Sequence, residues 1–242
     1  MVRQGDTGWL VKINGNLDVL DSITEFLSPL NISICRKDGD YYLTSPKFKD
    51  LTEAGAVFDL ATGILAVIDG MLLITTGNTG KLATTGVHDK SGTAVKSVQD
   101  SLGTQYIFPK GIPSEAQFGI PTICEVGTSP SKENHPIYKI SKLACSNKLV
   151  RKVLRLIGSG SLEDWVNLYR IYEVITSDIG NISSKGWASN NEIVLFRHTA
   201  NHPAASGDNA RHGELSQEPP SKPMSVDEAK KLILRIVDKW LN

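Results

Sequence analysis

Apolar positions along this chain change period once, and the change divides it in two. Residues 9–13 (WLVKI) form a β-rich run that ends at Asn14 and Gly15, which predicts a strand. Leu17, Leu20, Ile23, Phe26 and Leu27 then recur at helical spacing and predict a short amphipathic helix. Ile32 and Ile34 alternate with Ser33 and lead into Asp38 and Gly39, after which residues 41–44 (YYLT) are β-rich again. Asp-Gly between two such runs predicts a tight hairpin, because both turn positions favour positive φ. Asp50 and Glu53 stand at capping-box spacing before the most apolar stretch, residues 54–74. A helix to about Asp69 is expected there, with Gly70 as its left-handed cap. Strands are expected at 71–76, 82–87, 93–98 and 105–108. Residues 75–80 (TTGNTG) read as a turn and not as a phosphate loop, since no helical pattern follows them.

Pro109, Pro113, Pro121, Pro130 and Pro136 punctuate the next segment, and the polar stretch 127–136 marks a domain boundary. From Ile137 the period becomes helical. Leu149, Val153, Leu156 and their neighbours predict one helix, stopped at Gly158 and Gly160. Ser161 is placed as the cap of the next, which carries Leu162, Trp165, Leu168, Tyr172 and Ile175. A third covers roughly 187–201. The last opens on a capping box, Ser225 to Glu228, and presents Val226, Ala229, Ile233, Ile236 and Trp240 on one face. The expected fold class is α+β: an N-terminal mixed α/β domain (1–125) with a largely antiparallel sheet, and a small all-α helical bundle (137–242).

Composition narrows the function without choosing it. Lys+Arg and Asp+Glu each number 26, so a polyanion site requires local segregation of charge. Such a segment exists: Lys139, Lys142, Lys148, Arg151, Lys152 and Arg155 have no acidic residue among them, which gives a basic helix face able to attract RNA phosphates. The same run also fits a solvated face balanced by acids elsewhere. Cys35, Cys124 and Cys145 form neither a CxxC pair nor an even disulfide set, which points to thiols in a reducing, cytoplasmic setting. Residues 54–74 carry Asp59 and Asp69, and a membrane span there would bury a carboxylate in hydrocarbon. A core helix is expected instead, and no membrane partner. The N-terminal residues lack the apolar segment of a secretory signal.

Chemistry concentrates near the C-terminus. His198, His202 and His212 fall within fifteen residues, accompanied by Arg197, Asn201 and Arg211. Pro203 disfavours helical geometry at His202, so the helix is expected to end there. A neutral imidazole can take the proton of a ribose 2′-hydroxyl, and a guanidinium can bind the scissile phosphate through two parallel hydrogen bonds. His198 and His202 share i, i+4 spacing and Asp208 follows, but no HExxH frame accompanies them, so no metal or other cofactor is expected. In structural terms, Arg197 also suits the dipole at a helix C-terminus.

Residues 197–202 (RHTANH) resemble the R-x4–6-H motif of HEPN domains, and so does their setting in a late bundle helix followed by a loop and a final amphipathic helix. The resemblance covers only the last hundred or so residues. It implies a homodimer whose paired motifs form a metal-independent endoribonuclease site, often in a bacterial toxin or anti-phage defence system. Arg197 and His202 would then be catalytic, with His198 and Asn201 orienting the phosphate and Lys148, Arg151, Lys152 and Arg155 drawing in RNA. The second cluster, Arg211 and His212, lies outside the family pattern and is an alternative catalytic pair. Its Arg-His-Gly is similar to the tripeptide of histidine phosphatases, but it lacks their surrounding α/β sheet. The competing readings are a non-catalytic regulatory subunit binding RNA, a nucleotide or a protein partner through the Arg/His cluster, and a structural adaptor.

Overall fold

A computed structural model describes residues 8–89, 94–97 and 130–242. Strands β1 (Trp9–Asn14), β2 (Ser33–Lys37), β3 (Asp40–Thr44), β4 (Ala83–Asp89) and β5 (Ala94–Ser97) form one antiparallel sheet in the order β2-β3-β1-β4-β5. Val11 of central β1 stands opposite Leu43 on one side and Val87 on the other, and all three are fully buried. That row fixes which face of the sheet is the core, because a one-residue slip would turn all of it to solvent. The hairpin turn sits at Asp38 (φ 53°) and Gly39 (φ 88°), as the Asp-Gly pair predicts.

Helices α1 (Leu17–Ile23) and α2 (Ala54–Thr76) belong to the same half. The C-terminal helical region comprises α3 (Pro130–Glu133), α4 (Pro136–Ser146), α5 (Lys148–Ser159), α6 (Trp165–Ile179), α7 (Asn190–Asn201), α8 (Pro203–Ser206) and α9 (Val226–Leu241). The fold class is α+β, as expected.

Several local expectations are corrected. Residues 71–76 are not a strand but the last turns of α2, whose cap is Gly77 (φ 75°) and not Gly70. A short apolar run after a glycine has no period that separates strand from helix; here it continues α2, with Met71 and Leu72 fully buried. The capping box at Asp50 and Glu53 does not form; Glu53 is the N-cap without a side-chain bond, and Asp50 closes a 3-10 turn. The first helix stops at Ile23 and continues as a 3-10 segment, Thr24–Leu30, which contains Pro29. Asp164, not Ser161, caps α6: its Oδ1 accepts the Val166 N–H at 2.9 Å. The helix expected over 187–201 starts at Asn190, behind a capping box of Ser189 and Glu192. The capping box at Ser225 and Glu228 forms as read. The strand expected at 105–108 and Cys124 lie outside the described residues.

Of the boundary segment 127–136, residues 127–129 lie outside them and Pro130–Glu133 forms α3; the two halves share a core. Ile64, Leu65, Ile68 and Met71 of α2 are buried together with Val11 and Leu43 of the sheet and with Ile137, Ala144, Val150 and Leu154 of α4 and α5. Two residues further round α5, Val153 and Ile157 enter a second core with Leu168, Ile175, Phe196, Ile233 and Ile236 of α6, α7 and α9. Helix α5 therefore joins both cores. Helix α2 is long and apolar enough to cross a membrane, but 67% of its most apolar window is buried inside the protein. It is a core helix.

Where α2 and α5 cross, two glycines meet. A Cβ on Gly70 would stand 2.0 Å from the Leu154 carbonyl oxygen, and one on Gly158 would stand 1.9 Å from that of Ala66. The backbones touch there, and only hydrogen fits.

Candidate functional site

Helix α7 ends where the sequence suggests, with His202 as its C-cap and also the N-cap of α8. That double role decides what the imidazole can do. Its Nδ1 accepts the Ala204 N–H at 3.1 Å, which leaves the ring proton on Nε2, and Nε2 donates to the Gln217 carbonyl at 2.6 Å. The residue is 5% exposed. Both nitrogens are thus occupied by main chain, and neither faces a space for substrate. His198 is held in a similar way, with Nε2 3.0 Å from the Glu218 carbonyl. The two rings fasten consecutive carbonyls of the loop between α8 and α9, and Met224 N–H completes the attachment on Thr199 Oγ1 at 3.1 Å. Asn201 Oδ1 is buried without a hydrogen-bond partner, so that oxygen is not offered at the surface.

The exposed chemistry lies one face away. Arg197, Arg211 and His212 are exposed, and both arginines meet Tyr169 of α6. The Tyr169 hydroxyl beside it, with a smaller contribution from Tyr172, holds the Arg197 guanidinium above its ordinary value against the opposing effect of burial. The Arg211 guanidinium lies over the Tyr169 ring, 4.5 Å from its centroid. Its Nη2 donates to Glu173 Oε1 at 3.0 Å, and its Nη1 stands 3.4 Å from His212 Nε2. Tyr169 is held in place by packing against Phe196, 5.9 Å between ring centroids. The Arg211 N–H is anchored on the Ala200 carbonyl at 2.9 Å, which fixes the loop carrying Arg211 and His212 to the end of α7.

Arg197 and His202 are therefore sequence neighbours that point into different environments. The pair that comes together is Arg197 and Arg211, through Tyr169, an aromatic residue whose ring is itself part of the second core. Its signal was weak: Tyr169 and Glu173 stand one turn apart on α6, and only the fold brings a loop arginine over them.

No protein-family model, curated protein or solved structure matches this chain.

Of the basic run, Arg151 is turned to structure: its Nη1 donates to the Ala144 and Cys145 carbonyls at 2.7 and 2.8 Å and so caps α4. Lys148 and Lys152 are exposed and Arg155 is half-buried. Among the described residues no three His, Cys, Asp or Glu side chains converge to hold a metal ion. An open cleft of about 520 Å3, lined by Asn14, Asn16, Thr79, Lys81 and Thr85, lies at the N-terminal end of α1; sequence reading gave it only turns.

Proposed function

We propose that this chain is a non-catalytic, cytoplasmic RNA-binding module that takes phosphate at the rim formed by Arg197, Arg211 and His212 around Tyr169. The observation that carries this reading is that two exposed guanidiniums meet one immobilised tyrosine, Arg211 over its ring and Arg197 beside its hydroxyl. A guanidinium pre-oriented by stacking loses little freedom when it accepts a phosphate in its fork. Its ion pair with Glu173 is solvent-exposed, and such pairs contribute about 0–1 kcal/mol, so a phosphate can displace it. The buried His202, with both nitrogens bonded to main chain, argues against the HEPN-type assignment of that residue as proton acceptor.

A second reading keeps the endoribonuclease and transfers the imidazole role to His212, which is exposed beside Arg211, with a second copy of the chain completing the site. One experiment separates them. Labelled RNA is incubated in EDTA with wild type, Arg197→Ala/Arg211→Ala, His202→Ala and His212→Ala, and both binding and cleavage are followed. The module reading expects intact RNA throughout, with affinity down about tenfold or more in the double arginine variant. His202→Ala is expected to lower thermal stability and leave affinity unchanged. Cleavage that disappears in His212→Ala establishes the second reading. RNA binding untouched by the double variant removes the rim from both.

A further inference from the structure

The basic run on α5 is left over from the rim and has a geometry of its own. Lys148, Lys152 and Arg155 recur at i, i+4 and i+7 and share one side of the helix. The opposite side, Val150, Val153, Leu154 and Ile157, is buried in the two cores. At 1.5 Å per residue the three cations span about 10 Å along the axis. Lys139 and Lys142 on α4 are exposed as well, and Arg151 is removed from the set by its bonds to α4 carbonyls.

Among the described residues none of Lys139, Lys142, Lys148, Lys152 and Arg155 has a carboxylate within ion-pairing distance. No acid lies between Glu133 and Glu163 in the sequence. A solvated face balanced by acids would show such pairs; this one does not. Arg155 makes the point most strongly, because burial pulls its guanidinium below the ordinary value and no carboxylate among the described residues pairs with it.

We infer that the exposed side of α5, with Lys148, Lys152 and Arg155 at its centre, is an electrostatic track for the phosphodiester backbone of RNA, separate from the Tyr169 rim. A run of like charge asks for a partner with repeated opposite charge, and a phosphodiester chain supplies it with release of counterions. An anionic membrane offers the same sign, but a surface-lying helix also needs an apolar face to insert, and that of α5 is committed to the protein interior.

The test uses full-length protein and a fluorescent oligouridylate of about 20 nucleotides, with affinity measured between about 50 and 200 mM NaCl. Wild type, Lys148→Gln/Lys152→Gln/Arg155→Gln and Arg197→Ala/Arg211→Ala are compared. Removing three phosphate contacts lowers the magnitude of the log–log salt slope by about 2 for a single strand and weakens low-salt affinity by about tenfold or more. The triple variant is expected to stay folded with thermal stability close to wild type, since among the described residues the three side chains have no ion-pair partner and Gln keeps much of the half-buried Arg155 stem. An unchanged slope, or no wild-type binding even at low salt, overturns the inference. So does a triple variant whose only loss is on phosphatidylserine vesicles. The two proposals fail separately: loss confined to the rim variant leaves the rim and removes the track, and loss confined to the triple variant does the reverse.

Discussion

Replacing Gly70 by alanine is expected to destabilise the protein by about 3 kcal/mol or more, although intrinsic helix propensity alone favours alanine by about 1 kcal/mol in mid-helix. The reversal comes from the crossing of α2 and α5. The added methyl would lie 2.0 Å from the Leu154 carbonyl oxygen and 2.7 Å from its carbonyl carbon. Both are main-chain atoms, so no rotamer change relieves the overlap and the helices must separate. Separation loosens Ile68 and Met71 of α2 against Val150 and Leu154 of α5, which are all at most 4% exposed. Gly158→Ala meets the Ala66 carbonyl at 1.9 Å and is expected to behave alike. The double variant should cost less than the two single losses added together, because the first separation makes room for the second methyl. Denaturant unfolding of the three variants measures this. A Gly70→Ala protein as stable as wild type means that the two backbones do not meet there.

The second large effect is a pH dependence centred on Asp69. This residue is 4% exposed inside α2; its Oδ2 accepts the Leu82 N–H at 2.9 Å, while Oδ1 has no partner. Burial pushes the carboxyl up to about 6 from 3.8, against the pull of hydrogen bonds from the main chain at Leu82. A carboxyl whose folded value is raised favours the fold fully below its unfolded value. That contribution is lost as pH rises through about 6. Raising the carboxyl from 3.8 to about 6 corresponds to about 3 kcal/mol. Asp69→Asn keeps an acceptor for Leu82 and cannot ionise, so its unfolding free energy should gain about that much on wild type between pH 4 and pH 7. The amide's own unpaired N–H adds an offset that does not change with pH. Parallel stability curves for the two proteins over that range would show that Asp69 is not the group responsible.

Other carboxylates act on the acid side, Glu192 the most strongly shifted and Glu228 held down by its Ser225 capping box. Glu192 is held down to about 2, chiefly by the Arg235 guanidinium 2.6 Å away and then by Ser189, so its favourable contribution is lost as pH falls below its ordinary value. Its side chain is 40% exposed, so solvent screens the pair and its share is small.

Legibility from sequence followed the range of the interactions concerned. The Asp38-Gly39 hairpin and the Ser225–Glu228 capping box were readable because each is closed by residues within three or four positions of one another. So was the end of α7 before Pro203. The α+β class followed from period, which burial of one face imposes on any strand or helix.

What sequence left undecided was where side chains meet over long separations. Gly70 looked like a helix cap, and its role at the crossing appears only when residues 66–70 and 154–158 are brought together. The R-x4-H spacing named Arg197 and His202, but spacing does not say which way a ring turns. The Ala204 N–H and the Gln217 carbonyl do, and the second of these comes from a loop fifteen residues away. Conversely, nothing near Arg211 in sequence announced Tyr169. The chain alone determined its local elements and its surplus of cations between 139 and 155. The tertiary fold decided which charges stay in water, which imidazole is sealed by carbonyls, and which backbones touch, because desolvation and close packing depend on neighbours that only folding supplies.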